Sequence, residues 1–150
     1  VIFISQDILK TVNKLISKYK TNNPYELADY LNIQLLHCDL GGYYGCYRYL
    51  KKHRCIFINS GLSEKIALFV LAHELGHAIL HQTENCYFMR NKTLLSLSKI
   101  EKEANLFAAY LLMPQSEIND YIKIYNYSRS QIANIYGVPD ELVDLRLKIK

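Results

Sequence analysis

The most apolar stretch of the chain, residues 66–80, is interrupted by three polar side chains, and this combination restricts the fold more than any other feature. The stretch reads IALFVLAHELGHAIL and contains His73, Glu74 and His77. A membrane-spanning helix needs roughly 20 nearly uncharged residues, and this run is shorter and carries polar groups. The sequence therefore predicts a helix buried in a protein core, with no membrane contact.

The three polar residues have the spacing H-E-x-x-H. On a helix, residues four apart are separated by about 40° around the axis and their side chains by about 6 Å, so both rings can reach one point. Two imidazoles with a neighbouring glutamate are typical of a single Zn²⁺ site in which the carboxylate assists the bound water. Burying such groups unpaired is costly, and a metal ion removes that objection. The alternative is a pair of core histidines bonded to backbone carbonyls.

A catalytic zinc ion also needs a third protein ligand and one open position. The longer metalloprotease motif has a histidine six residues after the second one, but here Thr83 occupies that position. His81 is near in sequence, yet it lies one turn farther along the helix and is not expected to reach the same ion. The third ligand is therefore expected from another helix.

That second helix is predicted in the segment SKIEKEANLFAAYLLMP. Its inward stripe is centred near Ala104, with Glu101 about 60° and Glu103 about 100° from the centre, so Glu101 is the predicted metal ligand. Asn105, one turn beyond Glu101, is expected to hold a ligand histidine by a hydrogen bond. Alternatively, Glu101 forms a capping box with Ser98, which would require the helix to begin as late as residue 99. The stripe consists of Leu97, Ile100, Ala104, Phe107, Ala108 and Leu111.

The order of predicted elements indicates an α+β fold in one domain spanning residues 1–150. Residues 5–20 have helical periodicity, and Asn23 and Pro24 open a second helix. Three segments with β character predict a small, mainly antiparallel three-stranded sheet. These segments are residues 33–37, 43–50 and 55–59.

The second half of the chain is predicted to be largely helical. Residues 82–93 are expected to form an irregular connection, and the helix that carries Glu101 is expected to begin at Leu94 or Leu97. Short helices, broken near residues 126–128 and at Gly137, are expected to pack on the rest of the domain from about residue 115 to residue 150.

Charge and cysteine content limit the classes of partner and site. The chain has 18 lysine and arginine residues against 14 acidic ones, a net charge of +4 that is too diffuse to demand direct nucleic-acid binding. The four cysteines have spacings that fit no zinc knuckle, which favours free thiols. With no leader segment apparent, we expect a cytoplasmic protein.

Taken together, these motifs resemble the ImmA/IrrE family of bacterial and mobile-element zinc metallopeptidases. The resemblance is carried by NPYELADYLNIQL, INSGL, FVLAHELGHAILH, EKEANLFAAYLLMP and IANIYGVPDELVDLRL. It implies a minimal zincin fold of the gluzincin type in which His73, His77 and Glu101 bind one zinc ion and Glu74 is the catalytic carboxylate. It also implies a zinc-dependent endopeptidase that cuts a helix-turn-helix repressor of a phage, mobile element or stress regulon.

Other functions and further site residues stay open at this level. The chain is alternatively a zinc-containing regulatory or antitoxin-like module that binds a repressor or toxin without cutting it. The C-terminal helices loosely resemble a helix-turn-helix, although their apolar positions are explained more simply by packing. For a peptidase, residues 41–50 are the candidate sheet edge for the substrate, and Tyr110 and His81 are candidates to stabilise the oxyanion.

Overall fold

The computed structural model describes residues 2–89 and 98–148 of the chain. Within these ranges the structure has seven helices and four strands. They are α1 (Ile2–Tyr19), α2 (Pro24–Tyr30), β1 (Gln34–Cys38), β2 (Tyr43–Leu50), β3 (His53–Asn59), α3 (Glu64–Leu80), β4 (Cys86–Met89), α4 (Lys99–Leu112), α5 (Gln115–Lys123), α6 (Arg129–Tyr136) and α7 (Asp140–Lys148).

The strands form one mainly antiparallel sheet in the order β1-β3-β2-β4, with β1 and β3 parallel. The α+β class and the mainly antiparallel pairing are as predicted, but the expectation of three strands is wrong. The fourth strand, β4, lies in the segment that was expected to be irregular. It has only four residues, so it leaves almost no periodic signal in the sequence. Its pairing with β2 has an irregularity between Tyr43 and Gly45.

The position of β2 overturns a second expectation. β2 lies between β3 and β4, so residues 43–50 are not an edge of the sheet. In the described sheet the two edges are β1 and β4. Gly45 of β2 lies against α3, because a Cβ placed there would stand 2.7 Å from Cγ1 of Val70 and 2.9 Å from the backbone oxygen of Phe57. This glycine lets the central strand approach the helix.

Helix α3 packs between the sheet and α4. Its residues from Phe69 to Ala78 are all buried, which explains why the run is apolar on every side.

Helix α2 begins as predicted, with Asn23 as N-cap and Pro24 at the first helical position. No helix in the described part of the chain has the length and apolar character that crossing a membrane would require.

Helix α4 crosses α3 at a glycine. A Cβ at Gly76 would stand 3.1 Å from Cα of Ala104, so the missing side chain permits close contact between the two backbones. The described part of α4 begins at Lys99 with Ser98 as N-cap, but the Ser98 side chain makes no capping hydrogen bond, and the capping box is not formed. The predicted starting points Leu94 and Leu97 lie outside the described residues.

Two of the C-terminal helices, α6 and α7, pack against each other. Helix α7 contacts α4 and α6, and Leu142 and Val143 are buried. The guanidinium of Arg146 donates from Nε to the backbone oxygen of Met113 at 2.9 Å, which ties α7 to the end of α4. Gly137 ends α6 in the left-handed conformation, with φ +67°.

Candidate metal centre

His73 and His77 lie on successive turns of α3, and their rings meet. Their Nε2 atoms are 3.2 Å apart and both side chains are fully buried. The four-residue spacing therefore has the consequence predicted from the sequence, because both rings address one point. Burial lowers the pKa of His77 to about 4, and this outweighs the contact with Glu101 that acts in the opposite direction. The ring is neutral at neutral pH, the form in which imidazole binds metal ions.

The third side chain at this point is Glu101 of α4. Its Oε1 lies 2.9 Å from Nε2 of His77, and its Oε2 lies 3.2 Å from Nε2 of His73. Burial acts to raise the pKa of Glu101, but the contacts with the two histidines more than offset it, and the pKa lies below its usual range. Glu101 is therefore an ionised carboxylate at neutral pH.

His73, His77 and Glu101 fit a metal ion in chemistry and in geometry. One potential ligand atom from each residue lies within 4.8 Å of the other two, and all three residues are buried. Two imidazoles and a carboxylate form a donor set that suits zinc. The three residues could hold a divalent cation between two packed helices, α3 and α4.

Glu74 lies beside this group and is fully buried. Neither of its carboxylate oxygens has a hydrogen-bond partner in the part of the chain that the structure describes. Burial, and then the negative charge of Glu101, raise its pKa well above the usual value. A fully buried carboxyl group with no partner is costly, and a nearby cation with its water would remove that cost. Strand β2 covers Glu74, since a Cβ at Gly45 would stand 3.5 Å from Cγ of Glu74.

Asn105 and Phe88 both contact the ring of His73. Oδ1 of Asn105 lies 2.8 Å from Nδ1 of His73, and Asn105 is buried. This is the contact expected for Asn105 from its place one turn beyond Glu101. The ring of Phe88 stacks on the His73 ring with centroids 4.3 Å apart. Phe88 belongs to β4, so its contribution could not be anticipated once that strand had been missed.

His81 and Glu103 form a second polar pair beside the centre. Nδ1 of His81 lies 3.3 Å from Nδ1 of His77, and Nε2 of His81 lies 2.6 Å from Oε2 of Glu103. This contact is not among the predictions made from the sequence. The four-residue spacing between positions 77 and 81 was the available signal, because it predicts adjacent rings.

Cys86 and Tyr110 belong to β4 and α4, the elements that also carry Phe88 and Glu101. The buried thiol of Cys86 in β4 has a pKa raised to about 12, by burial first and then by the charges of Glu101 and Glu74, so it is a neutral thiol. All four cysteines are free, as expected. Tyr110 lies nine residues beyond Glu101, about 13 Å along α4, and its ring packs against the guanidinium of Arg146.

Comparison with known proteins gives one matching family and two similar relatives. The family model of the IrrE N-terminal-like domain, a peptidase family, matches residues 28–148. The chain is 45% identical to the uncharacterised immunity region protein 2 of Bacillus phage phi105, over 93% of this chain and 88% of that protein. It is 34% identical to the metallopeptidase ImmA of Bacillus subtilis strain 168, over 97% of this chain and 87% of that protein.

Proposed function

This chain belongs to the IrrE N-terminal-like family of metallopeptidases, and from that premise we propose that it is a zinc-dependent endopeptidase with a gluzincin-type site. His73, His77 and Glu101 are the proposed ligands of one zinc ion, and Glu74 is the proposed catalytic carboxylate. The observation that carries the proposal is the convergence of three ligand atoms within 4.8 Å beside a buried carboxyl group that has no described partner.

The proposed mechanism uses Glu74 twice. When bound, zinc supplies Lewis-acid activation of a water molecule and of the scissile carbonyl group. Glu74 takes the proton that the water loses as its oxygen bonds to the carbonyl carbon. When the carbon–nitrogen bond breaks, Glu74 delivers that proton to the leaving amine. Asn105 keeps His73 oriented, and β2 and Phe88 exclude solvent from the side facing the sheet.

Strand β4 is the proposed binding edge for the substrate. It pairs with β2 on one side and forms an edge in the order β1-β3-β2-β4. A peptide that adds to this edge as a further strand gains backbone hydrogen bonds. Phe88 of the same strand contacts His73, so an added peptide would run close to the proposed zinc ligands. This edge replaces the one suggested from residues 41–50.

The proposed substrate is a helix-turn-helix repressor. The support is the resemblance to the ImmA/IrrE family, together with the immunity region protein of phage phi105 as a relative at 45% identity. A phage immunity region is a regulatory setting in which cutting a repressor would have a direct effect. A location in the cytoplasm, where such a repressor would act, belongs to the same proposal.

The test combines metal analysis with proteolysis. We expect the purified protein to bind one zinc ion and to cut a purified helix-turn-helix repressor. Glu74→Gln should keep the zinc and lose cleavage, whereas the exposed control Glu84→Gln should keep both. Full proteolysis by a zinc-loaded Glu74→Gln protein would refute the role given to Glu74. A stable complex with an uncut repressor at full zinc occupancy would instead favour the non-cleaving regulatory module.

A further inference from the structure

We propose that His81 and Glu103 are positioning residues that fix the orientation and the tautomer of His77. The inference rests on the proposed metal site and adds two residues to it. Its starting point is an unbroken series of contacts from Glu103 through His81 to the ring nitrogen of His77 that faces away from Glu101. The two contacts measure 2.6 Å and 3.3 Å.

Counting protons explains why the series suits a metal ligand. The Nε2 atom of His77 lies next to Glu101, and to bind a cation there it must offer a lone pair. The ring proton of His77 must then be on Nδ1, where it needs an acceptor. Nδ1 of His81 is that acceptor when the ring proton of His81 is on Nε2, the atom that lies 2.6 Å from Glu103. Glu103 accepts that second proton, so each contact has one donor and one acceptor.

The surroundings of His81 argue against two simpler roles, a fourth metal ligand and an ordinary surface ion pair. Its two ring nitrogens are both engaged, one by His77 and the other by Glu103, so neither is directed at the metal site as a fourth ligand would be. The pair is also not an ordinary surface ion pair, because the side chains of His81 and Glu103 are only 9% and 18% exposed. An imidazole held in this way restrains the neighbouring ring.

Helix α4 supplies partners to both ligand histidines from its two flanks. Around the α4 axis, Glu101 and Asn105 lie about 60° and 100° to one side of Ala104, and Glu103 lies about 100° to the other side. Asn105 reaches Nδ1 of His73, whereas Glu103 reaches Nδ1 of His77 only through His81. For His73 the acceptor of the Nδ1 proton is thus Asn105 of α4 itself. For His77 the acceptor is His81, and Glu103 of α4 holds the His81 ring.

The experiment compares variants that keep or remove the acceptor. His81→Leu removes it, whereas His81→Asn keeps an amide oxygen close to the position of Nδ1. Glu103→Leu removes the far end of the series. The matched control is Lys99→Met, because Lys99 lies 3.8 Å from Glu103 but is 75% exposed and takes no part in the series. The readouts are the zinc dissociation constant, by competition with a chromophoric chelator, and the visible absorption spectrum of the cobalt(II)-substituted protein.

We expect His81→Leu and Glu103→Leu to weaken zinc binding by about 10- to 100-fold and to alter the cobalt spectrum. His81→Asn should recover most of the affinity, and Lys99→Met should match the unmodified protein in both readouts. Far-ultraviolet circular dichroism identifies any leucine variant that fails to fold. If one fails, the comparison between His81→Asn and His81→Ala decides the question.

The two possible failures give different results. If the unmodified protein binds zinc tightly and the His81 and Glu103 variants bind it equally well with the same cobalt spectrum, the positioning role is wrong and the proposed site stands. If the unmodified protein binds zinc no better than Glu101→Ala does, the proposed metal site is wrong and the positioning role fails with it.

Discussion

Replacing Glu74 with methionine should stabilise the metal-free protein while abolishing proteolysis. The Glu74 side chain is fully buried, and its two oxygens have no hydrogen-bond partner within residues 2–89 and 98–148. Burying this carboxyl group lowers the free energy of unfolding. Methionine avoids that penalty because its side chain is unbranched, apolar and of similar length. A residue kept for chemistry is expected to lower stability in this way.

The size of the effect follows from that unsatisfied group. A buried polar group without a partner costs about 1–3 kcal/mol, so we expect the free energy of unfolding to rise by about 2 kcal/mol. For a chain of this length the melting temperature rises by roughly 2–4 °C per kcal/mol, which gives about 4–8 °C. Glu74→Gln should show a smaller gain, because its amide still buries polar atoms. The gain from Glu74→Met should shrink in zinc-loaded protein, where the carboxylate of the unmodified chain has a cation nearby.

Urea unfolding of chelator-treated protein measures this prediction. We expect a higher midpoint for Glu74→Met with an unchanged m value. The control is Glu84→Met, because Glu84 is exposed and its replacement should change stability by less than about 0.5 kcal/mol. If Glu74→Met is no more stable than the unmodified protein without metal, Glu74 is not the unsatisfied buried group that the reasoning requires.

Three other substitutions test the packing and the metal site. Gly45→Ala should lower the free energy of unfolding by about 1–3 kcal/mol, because the new methyl group would stand 2.7 Å from Cγ1 of Val70; equal urea midpoints would contradict this. Gly137→Ala should cost at least about 1–2 kcal/mol, since its φ is +67° and the methyl group would overlap Cβ of Lys65; calorimetry would show whether the melting temperature falls. Glu101→Ala should leave zinc far below one equivalent by elemental analysis, and full retention would remove Glu101 from the ligand set.

The sequence predicts which side chains converge on α3 and α4, because that part of the geometry is local or periodic. The approach of His73 to His77 needs only a regular helix, and the selection of Glu101 over Glu103 needs only the direction of the apolar stripe on a second helix. Asn105 follows from Glu101 by one helical turn. The sequence could not say how far apart the helices lie, and it is the distance between α3 and α4 that makes these directions into contacts.

The features that the sequence missed depend on contacts between distant segments. The pairing of β4 with β2 involves residues about 40 positions apart, and four residues carry too little periodicity to indicate a strand. The internal position of β2 follows from that pairing. The contact between His81 and Glu103 depends on the angle at which α4 crosses α3, because the helical wheel alone places Glu103 on the flank away from Glu101.

The crossing at Gly76 therefore sets the distance between α3 and the side chains of α4 that contact it. Glycine in the middle of a helix costs about 1 kcal/mol relative to alanine, but a Cβ here would stand 3.1 Å from Cα of Ala104 and would push the helices apart by a few tenths of an ångström. Glu101, Glu103 and Asn105 are attached to the same rigid helix, so such a shift would lengthen all their contacts with α3 at once. The propensity cost at this one position therefore permits the close approach of the helix that carries Glu101, Glu103 and Asn105.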